Sequence, residues 1–511
     1  MRSPALLCIL GALAGCGSAT PGPSAQISEL WGRSGELWSP RSRLPDFSFA
    51  GYHFGDDPIP QVPVKATVTE FGAKGDGVAD DTEAFLKAIA STSNGAVLIP
   101  PGRFKITQVL KLTRSGVVLR GSGREATVLY FPKPLVDMIG PSPEWAGTNT
   151  AKGRWSWGGG VIWCEGRDAG VRLADVTAPA SRGDAALALP STAGLAAGQT
   201  IRLVQHDPPD DSLGLHLHAE QSKAGAGMLK ALDGRLVDWA ARIASVSGNR
   251  VTLDRPLRVD VRPEWKPEIW SCVPGLQELG LEDFTIEFPD SPYEGHFTEK
   301  GFNGIFFDGV QHSWVRNVTI LDSDNGVIFH TPSVISGVSR GVTISGLRLA
   351  TRWRNKKLNG HHGIALEGPQ DCLIADFTVD TQFVHDLTVD TVCCGNVFSR
   401  GRGRNLCFDH HTYAPYENLF TEIDAGIGDR LWKSGGPSDG GPGSAARETL
   451  WNIRAAAPPA EVAPHPQLNI VGMTAWPALK SDRAWIESTA PESLVPPNLY
   501  EAQRARRRAG R

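Results

Sequence analysis

Glu70-Phe71-Gly72-Ala73-Lys74-Gly75-Asp76-Gly77-Val78-Ala79-Asp80-Asp81-Thr82 places three glycines and four acids directly before a helical pattern. From Thr82 to Ala90, Phe85 and Ile89 share one helix face, and Asp80 or Asp81 stands where an N-cap belongs. Downstream, Val97-Leu98-Ile99-Pro100-Pro101-Gly102 reads as a buried strand closed by a turn, and Val117 to Gly123 as another. The second half repeats this texture. Pentads starting at Gly304, Gly326, Gly363, Asp386 and Asn405 align as one strand series. A second series interleaves with it: Val315–Ile320, Val342–Leu347, Leu373–Val379, Val397–Arg402, Leu419–Ile423, Trp451–Arg454 and Leu468–Met473. Two or more short strands in roughly 20–25 residues are what a solenoid coil needs, since each repeat buries its apolar face only against its neighbours.

The 70–82 segment resembles the opening signature of the pectate-lyase-like right-handed parallel β-helix proteins, in which it caps the first coil. The resemblance implies an all-β fold, a right-handed parallel β-helix with an N-terminal capping helix. It leaves the reaction open, because hydrolases, lyases, epimerases and phage tailspikes share the signature. Between the two halves, residues 172–262 alternate with hairpin turns, as in Ala244-Ser245-Val246-Ser247-Gly248-Asn249-Arg250-Val251. They predict a small inserted β module. Its His206, His216 and His218 are expected in solvated loops. The remaining parts are then residues 46–171 for the capped start of the solenoid, 263–480 for the main coils, and 481–511 for a tail with a basic end.

The N-terminus reads as an address. Met1-Arg2 and the apolar Leu6–Leu13 form a signal peptide over residues 1–15, and Leu13-Ala14-Gly15-Cys16 matches a bacterial lipobox. Cys16 is the expected lipidation site, residues 16–45 the tether, and the outer membrane or cell surface the expected location. Export to an oxidising compartment permits disulfides, but the Cys393-Cys394 pair has no zinc-type spacing, so no metal ligand is assigned. Net charge is −4, and five cations lie in the last eight residues, leaving the body near −9. That excludes a nucleic-acid binder with a broad basic face. The pattern specifies no oligomeric state.

Candidate chemistry concentrates between Trp353 and Lys433, which holds His361, His362, His385, His410 and His411. His361, His385 and Asp409 follow one another at intervals of 24, as do His362, Asp386 and His410. One coil is about that long, so these residues should stack on one flank. His385, Asp409, His410, His411 and Tyr413 are the catalytic candidates. His361, His362, Asp386, Arg430, Trp432 and Lys433 are the substrate-binding ones, and the Gly-rich stretch after Lys433 could close over a ligand. Elimination across a uronate needs a cation for the carboxylate, a base for the α-proton and an acid for the leaving oxygen, and Arg, Lys, His and Tyr suit these tasks. Hydrolysis needs two carboxylates, which Glu367, Asp386, Asp390 and Asp409 could supply. Gly360-His361-His362-Gly363 is similar to the Gly-His-Gly element of polygalacturonase-type hydrolases, yet the Asp pair that should precede it is missing. Asp409-His410-His411 resembles the Asp-Pro-His element of alginate epimerases, with His in place of Pro. No cofactor is indicated, and the calcium-binding carboxylates of classical pectate lyases are not visible as a local motif. The expected function is cleavage of an uronate-containing polysaccharide by β-elimination. The alternatives are a glycoside hydrolase and a non-catalytic glycan-binding solenoid.

Overall fold

The computed structural model describes residues 25–145, 155–168, 170–330, 338–352, 358–459, 461–473 and 483–510. Cys16 and the expected signal peptide lie outside the described residues. The chain winds into stacked coils of three short strands. In one coil these are Leu373–Ala375, Thr378–Val379 and His385–Asp390; the next coil places Val397–Ser399, Arg402–Gly403 and Phe408–His410 on them in parallel register. The first two strands of each coil are joined by a sharp corner with one left-handed residue, Asn317, Gly346, Asp376 or Arg400. Asn, Asp and Gly tolerate that conformation. The residue after each of the first three corners (Val318, Leu347 and Phe377) turns inward and is buried. The solenoid interior is a continuous column of Ile, Leu, Val and Phe from Val68 to Met473. The helix expected after the 70–82 segment is present as α1 (Thr82–Ser91), with Phe85 and Ile89 packed into the first coils. Asp81 ties down the glycine loop, accepting from the Lys74 and Gly75 amides at 2.6 and 3.1 Å.

One flank is a seven-stranded parallel sheet: β1 (Leu110–Leu112), β2 (Ile162–Glu165), β3 (Asn303–Asp308), β4 (Asn325–His330), β5 (His362–Glu367), β6 (His385–Asp390) and β7 (Phe408–His410). Its inner residues feed the core, and its outer face carries several of the candidate residues.

Three expected boundaries are corrected. The inserted module is a six-stranded antiparallel sheet that reaches Ser271 rather than residue 262. The strand Glu268–Ser271 pairs with both Arg172–Asp175 and Thr200–His206 and so belongs to it. The tether does not run free to residue 45: Leu30, Trp31 and Leu44 are buried, and Gln26–Ile27 pairs with Leu494–Val495. The basic end is not a tail but a helix, α2 (Leu499–Ala509), packed on that N-terminal segment through Leu499 and Tyr500. Arg507 and Arg508 give hydrogen bonds to the carbonyls of Ser48, Phe54, Gly55 and Asp56. Nor is His218 solvated; it is buried, its Nδ1 donating to the Gly214 carbonyl at 2.8 Å. The six described cysteines are all free thiols.

Candidate functional site

Successive side chains on a strand point to opposite faces, and this alternation separates His410 from Asp409. On β6 and β7, Leu387 and Val389 pair with Phe408 and His410 and face the core, while Thr388 pairs with Asp409 and faces outward. His410 is therefore not a groove residue. It is fully buried, 4.3 Å from the His465 ring and 3.3 Å from the Glu448 carboxylate. The expected register is corrected too. His362 pairs with His385, and Asp409 with Thr388, because these coils hold 23 and 21 residues instead of 24.

The outer face brings His361, His362, His385, Asp409 and His411 together. Asp409 is fully buried and surrounded by donors. It accepts from the His411 Nδ1 at 2.8 Å, the Thr388 hydroxyl at 3.0 Å and the Gly435 amide at 2.8 Å, and the His385 Nδ1 lies 3.1 Å away. Burial opposes its charge, but the His411 and His385 imidazoles outweigh that and hold the carboxyl well below its usual range. Burial likewise opposes a charge on His411, yet Asp409 prevails and raises it to about 9. His361 and His362 are driven the other way, by burial first and then by the neighbouring imidazoles. After His411 the chain turns through three consecutive left-handed residues, Thr412, Tyr413 and Ala414. The loop after Lys433 is already closed: a Cβ on Gly435 would lie 2.4 Å from His411 Cε1 and 2.7 Å from His385 Cε1. The inserted module seats this loop, with the Gly227 amide donating to the Asp439 carbonyl at 2.9 Å.

His296 is the member that sequence reasoning missed. It sits on an exposed loop 65 residues before His361, anchored where Asp324 accepts from the Gly301 and Phe302 amides. Its Nε2 is 2.8 Å from the His361 Nε2. Burial, His385, His411 and Lys433 lower its pKa to about 4. His296, His361 and His385 form one group whose ligand atoms could hold a metal ion; His385, Asp409 and His411 form another.

Beside this cluster runs a charged row on the same face, with Asp308 opposite His330 and Glu367 opposite Asp390. His330 meets Glu367 at 2.9 Å. Burial, with help from Glu367, raises Asp390 well above the carboxylate range. Further toward β1 the face becomes aromatic. Trp163 packs edge-on to Phe306, and Trp145 edge-on to His330.

Several candidates serve the fold instead. Asp386 accepts from the Phe383 and Cys407 amides, and Arg430 closes that knot by bonding Asp386 and the Phe383, Val384 and Asn405 carbonyls. Neither is available to a substrate. Trp432 is half-buried against the solenoid core, and Tyr413 leans on the module's core. Lys433 is exposed near His296.

Residues 66–134 match the family described as Rhamnogalacturonase A/epimerase, pectate lyase-like. The fold is a parallel β-helix, and the family match covers its capped N-terminal coils. Over 65 residues, 13% of this chain, it is 45% identical to the preneck appendage protein of Bacillus phage PZA, of which that stretch makes up 7%. Among solved structures, this β-helix is similar to the tailspike protein gp49 from Pseudomonas phage LKA1, with 14% identity and a TM-score of 0.39, covering 83% of this chain and 81% of the tailspike. It is also similar to the A-module of the Azotobacter vinelandii mannuronan C-5 epimerase AlgE6, with 10% identity and a TM-score of 0.35, covering 80% and 75%.

Proposed function

We propose that this β-helix is a polysaccharide-cleaving enzyme acting on a uronate-containing chain by β-elimination, held at the cell surface by lipid on Cys16. The observation that carries the reading is the grip of Asp409 on His411. A buried carboxylate bonded to Nδ1 fixes the ring and leaves Nε2 as the nitrogen that exchanges a proton with a substrate. The His411 side chain is 20% exposed, so it reaches solvent on the outer face. Asp390, one strand back in the same row, has its carboxyl raised well above the usual range by burial and by Glu367, so the two groups can share the removal of the α-proton and the protonation of the leaving oxygen. With Arg430 committed to the fold, the exposed Lys433 is the cation left to hold a sugar carboxylate. The half-buried Trp163 continues the same outer face along the coil stack.

A second reading, glycoside hydrolysis, is favoured by one observation: Glu367 and Asp390 stand opposite each other on adjacent strands. Neighbouring strands lie about 4.8 Å apart, close to the roughly 5–5.5 Å between the carboxyls of a retaining pair. Incubation with a panel of uronate and neutral polysaccharides separates the two. Elimination yields ultraviolet absorbance from an unsaturated uronate end; hydrolysis yields reducing ends without it. If neither product forms on any polymer, the enzymatic reading fails. Cys16→Ser should move the protein out of the membrane fraction with activity intact, and an unchanged distribution would remove the lipid anchor.

A further inference from the structure

We infer that His296, His361 and His385 form a binding site for a divalent transition-metal ion of the zinc class, open to the groove at a fourth position. The three imidazoles come from three separate parts of the chain, a loop, the entry to β5 and the start of β6, and meet at one point. Their ring centroids lie 4.4, 5.4 and 6.0 Å apart.

The nitrogen atoms are prepared for such a role. The Nδ1 of His361 donates to the Ser156 carbonyl at 2.7 Å, and that carbonyl is itself fixed by the Asn325 amide at 3.1 Å. His361 Nε2 is therefore the nitrogen that carries the lone pair. The Nδ1 of His385 faces Asp409 at 3.1 Å, without the alignment of a hydrogen bond, which turns its Nε2 away from the carboxylate. A ring held through one nitrogen by a backbone carbonyl, with the other nitrogen bare, as in His361, is an arrangement that orients metal-ligating histidines. His361 Nε2 and His296 Nε2 face each other at 2.8 Å. Two imidazoles on a tetrahedral ion with bonds of about 2.0–2.1 Å would sit roughly 3.3 Å apart. The exposed His296 loop needs to retreat by only about half an ångström to admit the ion.

The second His–Asp group is the weaker host. Asp409 is fully buried and already engaged by His411, Thr388 and the Gly435 amide. His296, by contrast, faces solvent, so an ion beside it would keep a position for an outside ligand, as open three-histidine sites do. An all-imidazole set selects zinc, cobalt, nickel or copper over calcium, which takes oxygen ligands. The inference rests on the same groove as the proposed enzyme and deepens it, because an ion there adds a second positive centre for a substrate carboxylate beside Lys433.

The test uses the full chain, stripped with a chelator and titrated with Co²⁺ in the absence of any polysaccharide. One equivalent should bind, with the visible absorption of a tetrahedral nitrogen-ligated Co²⁺ ion, and Zn²⁺ should displace it while Ca²⁺ does not. His296→Ala, on an exposed loop, should leave the metal-free melting temperature unchanged and weaken Co²⁺ binding by at least about 100-fold. Absence of the absorption, equal competition by Ca²⁺, or full affinity in His296→Ala would each overturn the site. A protein that takes up Co²⁺ but cleaves no polymer leaves the ion in place and removes the enzyme. One that cleaves after chelation and takes up no Co²⁺ removes the ion alone.

Discussion

Asp409 and Glu448 hold neighbouring histidines for opposite purposes. Asp409, on the outer face, aims His411 at the groove; Glu448 lies beside His410 in the core. His411→Ala should lower turnover on the responsive polymer by roughly 10²–10⁴-fold, the usual size of general acid–base assistance, with little change in melting temperature. His410→Ala should do the reverse. It opens a cavity and takes the partner of one Glu448 oxygen, while Asn418 keeps the other, costing about 2–4 kcal/mol in denaturant unfolding. Equal effects of the two variants on turnover would show that strand alternation does not sort them. Gly435→Ala probes the loop. Its new methyl group meets both His411 and His385, so the loop must lift, and displacement of that size should cost about 10²-fold in turnover. Unchanged turnover would mean that the loop does not shape the site. The sequence made the neighbourhood legible, since His361, His385 and Asp409 recur at nearly one coil length, with His411 two residues on. It could not show which of His410 and His411 faces out, because alternation converts a shift of one residue into the opposite face. His296 was invisible for another reason: it reaches the cluster from a loop outside the repeat.

The corner turns explain why the fold was the more readable half. A left-handed residue followed by a buried apolar one recurs at Asn317-Val318, Gly346-Leu347 and Asp376-Phe377, and each corner starts the next strand of its coil. The last strand of the pentad series nevertheless starts two residues later than aligned, with Leu387 opposite Phe408. The corner before it shifts the phase, and apolar spacing alone does not record that. At the start of the following coil, Glu417 takes the left-handed position and accepts from Arg182, Arg447 and Arg258 at 2.9, 2.8 and 3.2 Å. Burial opposes its charge, but the three guanidinium groups prevail and lower its pKa from 4.5 to about 2. A carboxylate with a depressed folded-state pKa stabilises the fold above its unfolded value and loses that contribution as pH falls toward the folded one. The difference in unfolding free energy between the native chain and Glu417→Gln should therefore be largest above about pH 4.5 and shrink by on the order of 3 kcal/mol on approach to pH 2. Melting curves of both proteins across that window check it. A gap that stays constant with pH would mean that Glu417 is not ionised in the fold.

At the scale of the molecule, the coil stack and the inserted module are two cores with a shared wall. Val392, Cys394, Ala414, Tyr416 and Ala445 of the solenoid belong to the module's apolar cluster. Arg255 and Arg258 of the module bind Asp371 at 3.1 and 2.8 Å. The module also seats the loop that carries Gly435, so its removal should separate folding from function. Val171 and Ser271 are hydrogen-bonded neighbours at 2.9 Å, and a short Gly/Ser bridge across residues 172–271 therefore closes the chain without pulling on the coils. The solenoid's own column of buried residues is left complete, and each coil still rests on its neighbours. Asp371 and Glu417 then face water instead of losing partners inside a core, which spares the large cost of a buried unpaired charge. The deletion should keep a cooperative melt at a lower temperature, expose an apolar patch that binds a hydrophobic dye, and lose polymer turnover because the loop has no seat. A deletion ending at residue 262 should behave worse. It leaves Glu268–Ser271 as a strand with no sheet to join, an open edge that invites aggregation. If the 172–271 deletion melts without cooperativity, the module is part of the solenoid's folding unit. If it melts cooperatively and keeps full turnover, the module does not hold the site.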